Sequence, residues 1–164
     1  MELNMVKKYF RLFTMTYIII LGMVLGAGLL AGAVVAPTIF HSEALLGSEL
    51  LSHFQEGLLM THVFEKLGYA VNFLVVIVIL YEVIKYKAFE SDRWSLMTTF
   101  LVAGTGLMFT SYYMPDILEM QSVGEAMTQS DAFINTHKGS EINFKIFIFS
   151  GLALLILNLK KALR

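Results

Sequence analysis

The sequence predicts an all-α, integral membrane four-helix bundle, N-in and C-in, with an amphipathic helix between spans one and two. Three observations carry this expectation. Four apolar runs, at about residues 13–36, 67–84, 94–114 and 142–159, each approach the roughly 20 residues that cross a hydrocarbon core. Charged residues are 15% of the 164 and mean hydropathy is +0.69, against about 25% charged in a soluble domain. Nine of the twelve Lys/Arg fall at the N-terminus, between runs two and three, and at the C-terminus. With four crossings these places share one side, and the positive-inside rule makes it cytoplasmic. Residues 1–164 read as a single transmembrane domain.

The first run, Met15 to Pro37, follows a basic lead-in with Lys7, Lys8 and Arg11. It is longer than the 7–15 residues of a signal-peptide core, so an uncleaved anchor is expected. Gly22 and Gly26 are four apart, as are Gly28 and Gly32. Each glycine costs a helix in water about 1 kcal/mol relative to alanine. In lipid, small residues let a neighbouring helix approach. The four therefore read as a helix-packing face, in this chain, in a homo-oligomer or against a membrane-complex partner.

Pro37 is expected to end that span. Leu46, Leu50, Phe54 and Leu58 then recur every fourth residue while Glu43, Glu49 and Glu56 fall off the stripe. This is an amphipathic helix at the membrane surface or leading into the next span. The second run carries only Glu82 near its end, and a connector with Lys85, Lys87 and Arg93 follows. Trp94 opens the third run and Tyr112, Tyr113 and Pro115 close it, as interfacial residues should. An acidic loop to about Asn135 precedes the fourth run, which ends in Lys160, Lys161 and Arg164.

The opposite face holds nine of the thirteen acidic residues and all four histidines. A net charge of −1 excludes a nucleic-acid footprint. The absence of cysteine excludes disulfides, thiolate ligands and cysteine nucleophiles. No phosphate loop, HExxH or Ser/His/Asp grouping supports hydrolase chemistry. Two polar stripes remain. His62, Glu65, Tyr69 and Asn72 share one helical face, and so do His137, Glu141 and Lys145. Lys145 needs a partner near the acyl region, either Glu141 or Glu65. One reading is an interhelical ion-pair network that sets registry. The sharper one makes His62 and His137 ligands to a transition metal or to haem. Met114, Met120 and Met127 near the same face add thioethers, which suit Cu(I), although spacings of six and seven are no ligand signature. His53 and His62, nine apart, fall on opposite sides of a helix.

The glycine-rich first span ending in VVAPTIF (Val34 to Phe40), Phe64 in THVFEKLGY, and a last span introduced by Phe133-x-x-x-His137-x-x-Ser140 resemble a group of small four-span membrane proteins. The group is the domain of unknown function 4149, which includes animal transmembrane protein 205. Its last motif usually reads like F-x-x-L-H-G-x-S; here Thr136 and Lys138 replace the Leu and Gly. In layout the chain is also similar to copper resistance protein D-like proteins and HemJ-type protoporphyrinogen oxidases. The first likeness implies copper handling, the second a haem b redox enzyme. In that second reading His62 and His137 are candidate axial ligands, with Lys145 near the propionates. A bacterial inner membrane is the expected location.

Overall fold

A computed structural model describes residues 2–48 and 50–163, with side chains from Phe10 onward. Glu49 and Arg164 lie outside the described residues, as do the side chains of Lys7 and Lys8. The chain is all-α. Helix α1 runs Glu2–Leu30 and continues through a π-helical turn, Ala31–Val35, into Ala36–Phe40. A short α2, Ser42–Leu46, precedes the long α3, His53–Lys87. Helix α4, Arg93–Met108, continues through a second π turn, Phe109–Tyr113, into Met114–Val123. A single turn, α5 (Glu125–Thr128), leads to α6, Asp131–Ala162.

Neither proline ends its helix, contrary to expectation. Pro37 and Pro115 both sit at the start of a further helical segment. A proline clashes with the carbonyl four residues back and removes one hydrogen bond. For Pro37 that residue is Ala33, and for Pro115 it is Ser111. Each lies within a π turn, where wider i→i+5 spacing relieves the clash without breaking the helix. The expected amphipathic helix is not a separate element either. Its stripe is divided between α2, a left-handed turn at Gly47 (φ 72°) and the first turns of α3. There Ser52 forms a capping box with Gln55, so the segment leads straight into the next long helix.

The four long helices form a ring in which α1 touches α3 and α6, and α4 touches the same two. Short loops make consecutive helices antiparallel. The start of α1, the end of α6 and the 88–92 loop therefore share one end of the bundle. The interior is a column of Leu21, Leu25, Val71, Leu74, Val78, Val102, Phe147 and Leu154. Phe64, Phe109 and Phe144 meet edge-on or tilted at 4.9–6.0 Å between centroids. Large apolar side chains also cover the outside, among them Ile19, Met23, Phe73, Val76, Leu80, Phe100, Ile142 and Phe149. An apolar girdle of this extent on a monomer marks a surface that water does not wet.

Three helices are long and apolar enough to cross a membrane: Phe10–Phe40, His53–Lys87 and Asp131–Ala162. The expected third span, 94–114, is not among them. Its helix is diluted by Thr98, Thr99, Thr105, Thr110 and Ser111.

Candidate functional site

At the acidic end, the two predicted stripes stay apart. His62 Nδ1 lies 3.0 Å from Glu65 of its own helix, and His137 Nε2 lies 3.7 Å from Glu141 of its own. Lys145 takes Glu141 as partner at 3.2 Å, not Glu65. Tyr69 carries Lys66 over its ring at 5.7 Å. All these pairs close within one helix, so they set no registry between helices. Of the stripe residues only Asn72 reaches across, accepting from Thr110 Oγ1 at 2.6 Å. The other interhelical polar bonds at this end come from residues outside the two stripes. Gln121 Nε2 donates to Thr61 Oγ1 at 3.0 Å, and Asn143 Nδ2 to the Thr105 carbonyl at 2.8 Å. Ser42 donates to buried Glu56 at 2.6 Å, which pins α2 onto α3.

The resemblance implies copper or haem b, and the donor sets fit neither well. His62 and His137 are both largely exposed and each is engaged by a neighbouring carboxylate. His41 Nδ1 faces the Pro37 carbonyl at 2.9 Å, and His53 faces Glu56 at 3.5 Å. Among the described residues no three His, Cys, Asp or Glu side chains gather to hold a metal ion. Met114, one of the three candidate thioethers, is buried.

The densest polar constellation lies at the other, basic end, inside the bundle. Glu82 and Lys85 of α3 are buried, their side chains 5% and 3% exposed, with Nζ 3.0 Å from Oε2. Lys85 also donates to Asn158 Oδ1 of α6 at 3.4 Å and sits 5.3 Å from the Tyr81 ring centroid. Asn158 Nδ2 donates in turn to the Leu154 carbonyl at 2.8 Å. The second oxygen of Glu82 accepts from Ser91 Oγ in the 88–92 loop. Asp92 caps α4 by accepting from the Trp94 and Ser95 amides at 2.9 and 3.1 Å, and it pairs with Lys161 of α6. Partial burial raises the Asp92 pKa, but the bonds from Lys161 and Ser95 outweigh it and bring it to about 2. Tyr17 of α1 stacks on Tyr81 at 3.9 Å, and Tyr81 donates to Thr14 at 3.2 Å. One network thus ties all four long helices together.

The sequence carried signals for it. Glu82 and Lys85 stand three apart on one helical face, and Asn158 interrupts an apolar run. Placing Glu82 in the second run and Lys85 in the connector after it separates the two members of the pair.

The glycines divide in an unexpected way. A Cβ on Gly28 would fall 2.9 Å from Ile148 Cδ1 and 3.1 Å from Phe144 Cζ, so α1 packs on α6 there. At Gly22, Gly26 and Gly32 it would meet nothing within 4 Å. Close helix approach elsewhere falls on Gly106, Gly139 and Gly151, where a Cβ would lie 2.8, 3.0 and 2.5 Å from Val75, Tyr113 and Leu25.

A ring of long helices, apolar outside and tied by buried polar bonds inside, defines a multi-span helical membrane protein. Residues 7–126 match the family described as Domain of unknown function (DUF4149), and the chain belongs to that family. The match ends before α6, so the Phe133-to-Ser140 motif lies beyond it. No curated protein and no solved structure matches the chain. The expected ties to transmembrane protein 205, copper resistance protein D-like and HemJ-type proteins thus gain nothing from the comparisons.

Proposed function

We propose that this chain is a non-catalytic assembly subunit of a membrane complex, crossing the bilayer four times with both termini in the cytoplasm of a bacterial cell. The observation that carries this reading is the free glycine face of α1. A Cβ on Gly22, Gly26 or Gly32 would meet nothing within 4 Å among the described residues, yet small residues in lipid mark places where a helix from elsewhere can approach. The α4 helix makes the additional crossing. Its threonines are accommodated because Thr98 and Thr105 donate to carbonyls of their own helix and Thr110 donates to Asn72 of α3.

Cysteine introduced at Gly26 tests the interface by oxidative cross-linking in native membranes. A product at twice the chain mass identifies a second copy, and a heavier product of another mass identifies a different subunit. No cross-link, with sedimentation of Gly26→Leu unchanged from wild type, rejects the reading. For topology, Ser122→Cys should react with an impermeant thiol reagent in intact cells and Ala88→Cys only after permeabilisation; the reverse pattern overturns it. A metal-handling role through His62 and His137 would need further ligands from the neighbouring chain at the same face. Metal analysis and the absorption spectrum of the cross-linked species test it.

A further inference from the structure

An open groove lies beside the buried network at the basic end. Its apolar wall is Met15, Ile18 and Ile19 of α1 with Leu159 of α6. Arg11, Lys85 and Lys161 also line it, against one carboxylate, Glu90. The two neighbouring acids, Glu82 and Asp92, do not line the groove but pair with its lysines. Glu82 holds Ser91 and Lys85, and Asp92 holds Lys161 as well as the α4 N-terminus, so the two lysines reach a further ligand only with the donors these bonds leave over. Lys85 has three N–H donors and two acceptors, Glu82 and Asn158. One donor of a side chain 3% exposed is left for whatever fills the groove. Tyr86, Phe89 and Trp94 at the same end are 67%, 97% and 67% exposed. Exposed aromatics of this kind mark the bilayer interface.

The geometry points to a binding site for an anionic glycerophospholipid of the leaflet at the basic end. One acyl chain lies on Met15, Ile18, Ile19 and Leu159, and the phosphate is held by Arg11, Lys161 and the third donor of Lys85. A free phosphate would gain nothing from the apolar wall, and a zwitterionic lipid would place its own cation among these three. Basic pockets between membrane helices select anionic head groups in this manner. The site uses a different face and different residues from the glycine surface of α1.

The test is native mass spectrometry of the full chain in detergent, with phosphatidylglycerol and phosphatidylcholine of identical chains titrated separately, and glycerol phosphate as a chain-free competitor. The expected result is preferential retention of one phosphatidylglycerol, with glycerol phosphate unable to displace it. Arg11→Gln should weaken retention about fivefold, the loss of one cation near a phosphate. Met15→Trp, which fills the groove, should abolish the preference. Both positions are exposed, so melting temperatures should match wild type. Equal retention of the two lipids, displacement by glycerol phosphate, or retention unaffected by both variants overturns the site. So does a protein dimer that excludes lipid and is lost in Met15→Trp, since the occupant would then be a second copy.

Discussion

Replacing Lys85 by methionine should be among the most damaging single changes in this protein. At 3.0 Å the Glu82–Lys85 attraction is about 5–6 kcal/mol for an effective dielectric near 20. Desolvating the two groups costs several kcal/mol each, so the intact pair is close to balanced. Methionine keeps most of the side-chain volume but leaves Glu82, 5% exposed, without its counter-charge. Breaking a buried pair in this way costs about 3–5 kcal/mol. Glu82→Gln should cost less, because the amide oxygen still accepts from Lys85. The double variant Glu82→Leu/Lys85→Met removes both charges and should return to within about 1 kcal/mol of wild type. Reversible unfolding in mixed detergent, followed by the fluorescence of Trp94, the one tryptophan in the chain, reads all three. A double variant that loses as much as Lys85→Met alone would refute the argument. A Lys85→Met loss below about 1 kcal/mol would do so equally, since the pair would then be solvated.

Two further outcomes follow from the same structure. Gly106→Ala should destabilise by about 1–3 kcal/mol through overpacking, because its Cβ would meet Val75 at 2.8 Å and Val71 and Phe147 at 3.3 Å, with β-branched valines that cannot rotate away. Gly26→Ala, with nothing within 4 Å, should be neutral or slightly stabilising in the same unfolding assay; equal losses in the two would dismiss the packing assignment. Asp92 has a folded pKa near 2 against 3.8 when unperturbed. Its contribution to stability is thus complete above about pH 4 and fades as pH falls towards 2. The stability difference between wild type and Asp92→Asn should shrink across that window, and a difference independent of pH from 6 to 2 would contradict the Lys161 pairing.

The sequence by itself determined that this is an α-helical membrane protein and where most of its helices lie. Hydrocarbon-length apolar runs and segregated Lys/Arg are one-dimensional properties, and family membership through residues 7–126 agrees with the reading of VVAPTIF and THVFEKLGY. What it left undecided is which face of each helix turns inward. In water an amphipathic stripe answers that, but these helices are apolar all round, with Leu74 and Val78 buried and Phe73 and Leu80 exposed on one helix. The glycines of α1 illustrate the consequence. Spacing made all four equivalent, and only the tertiary structure turned Gly28 onto α6 and left Gly22, Gly26 and Gly32 free. The polar residues illustrate it again. The histidine stripes were visible because they interrupt apolar periodicity, yet each closes within its own helix. The Glu82–Lys85–Asn158 network joins residues 73 positions apart. Such a contact exists only once antiparallel helices bring the ends of α3 and α6 to the same end of the bundle.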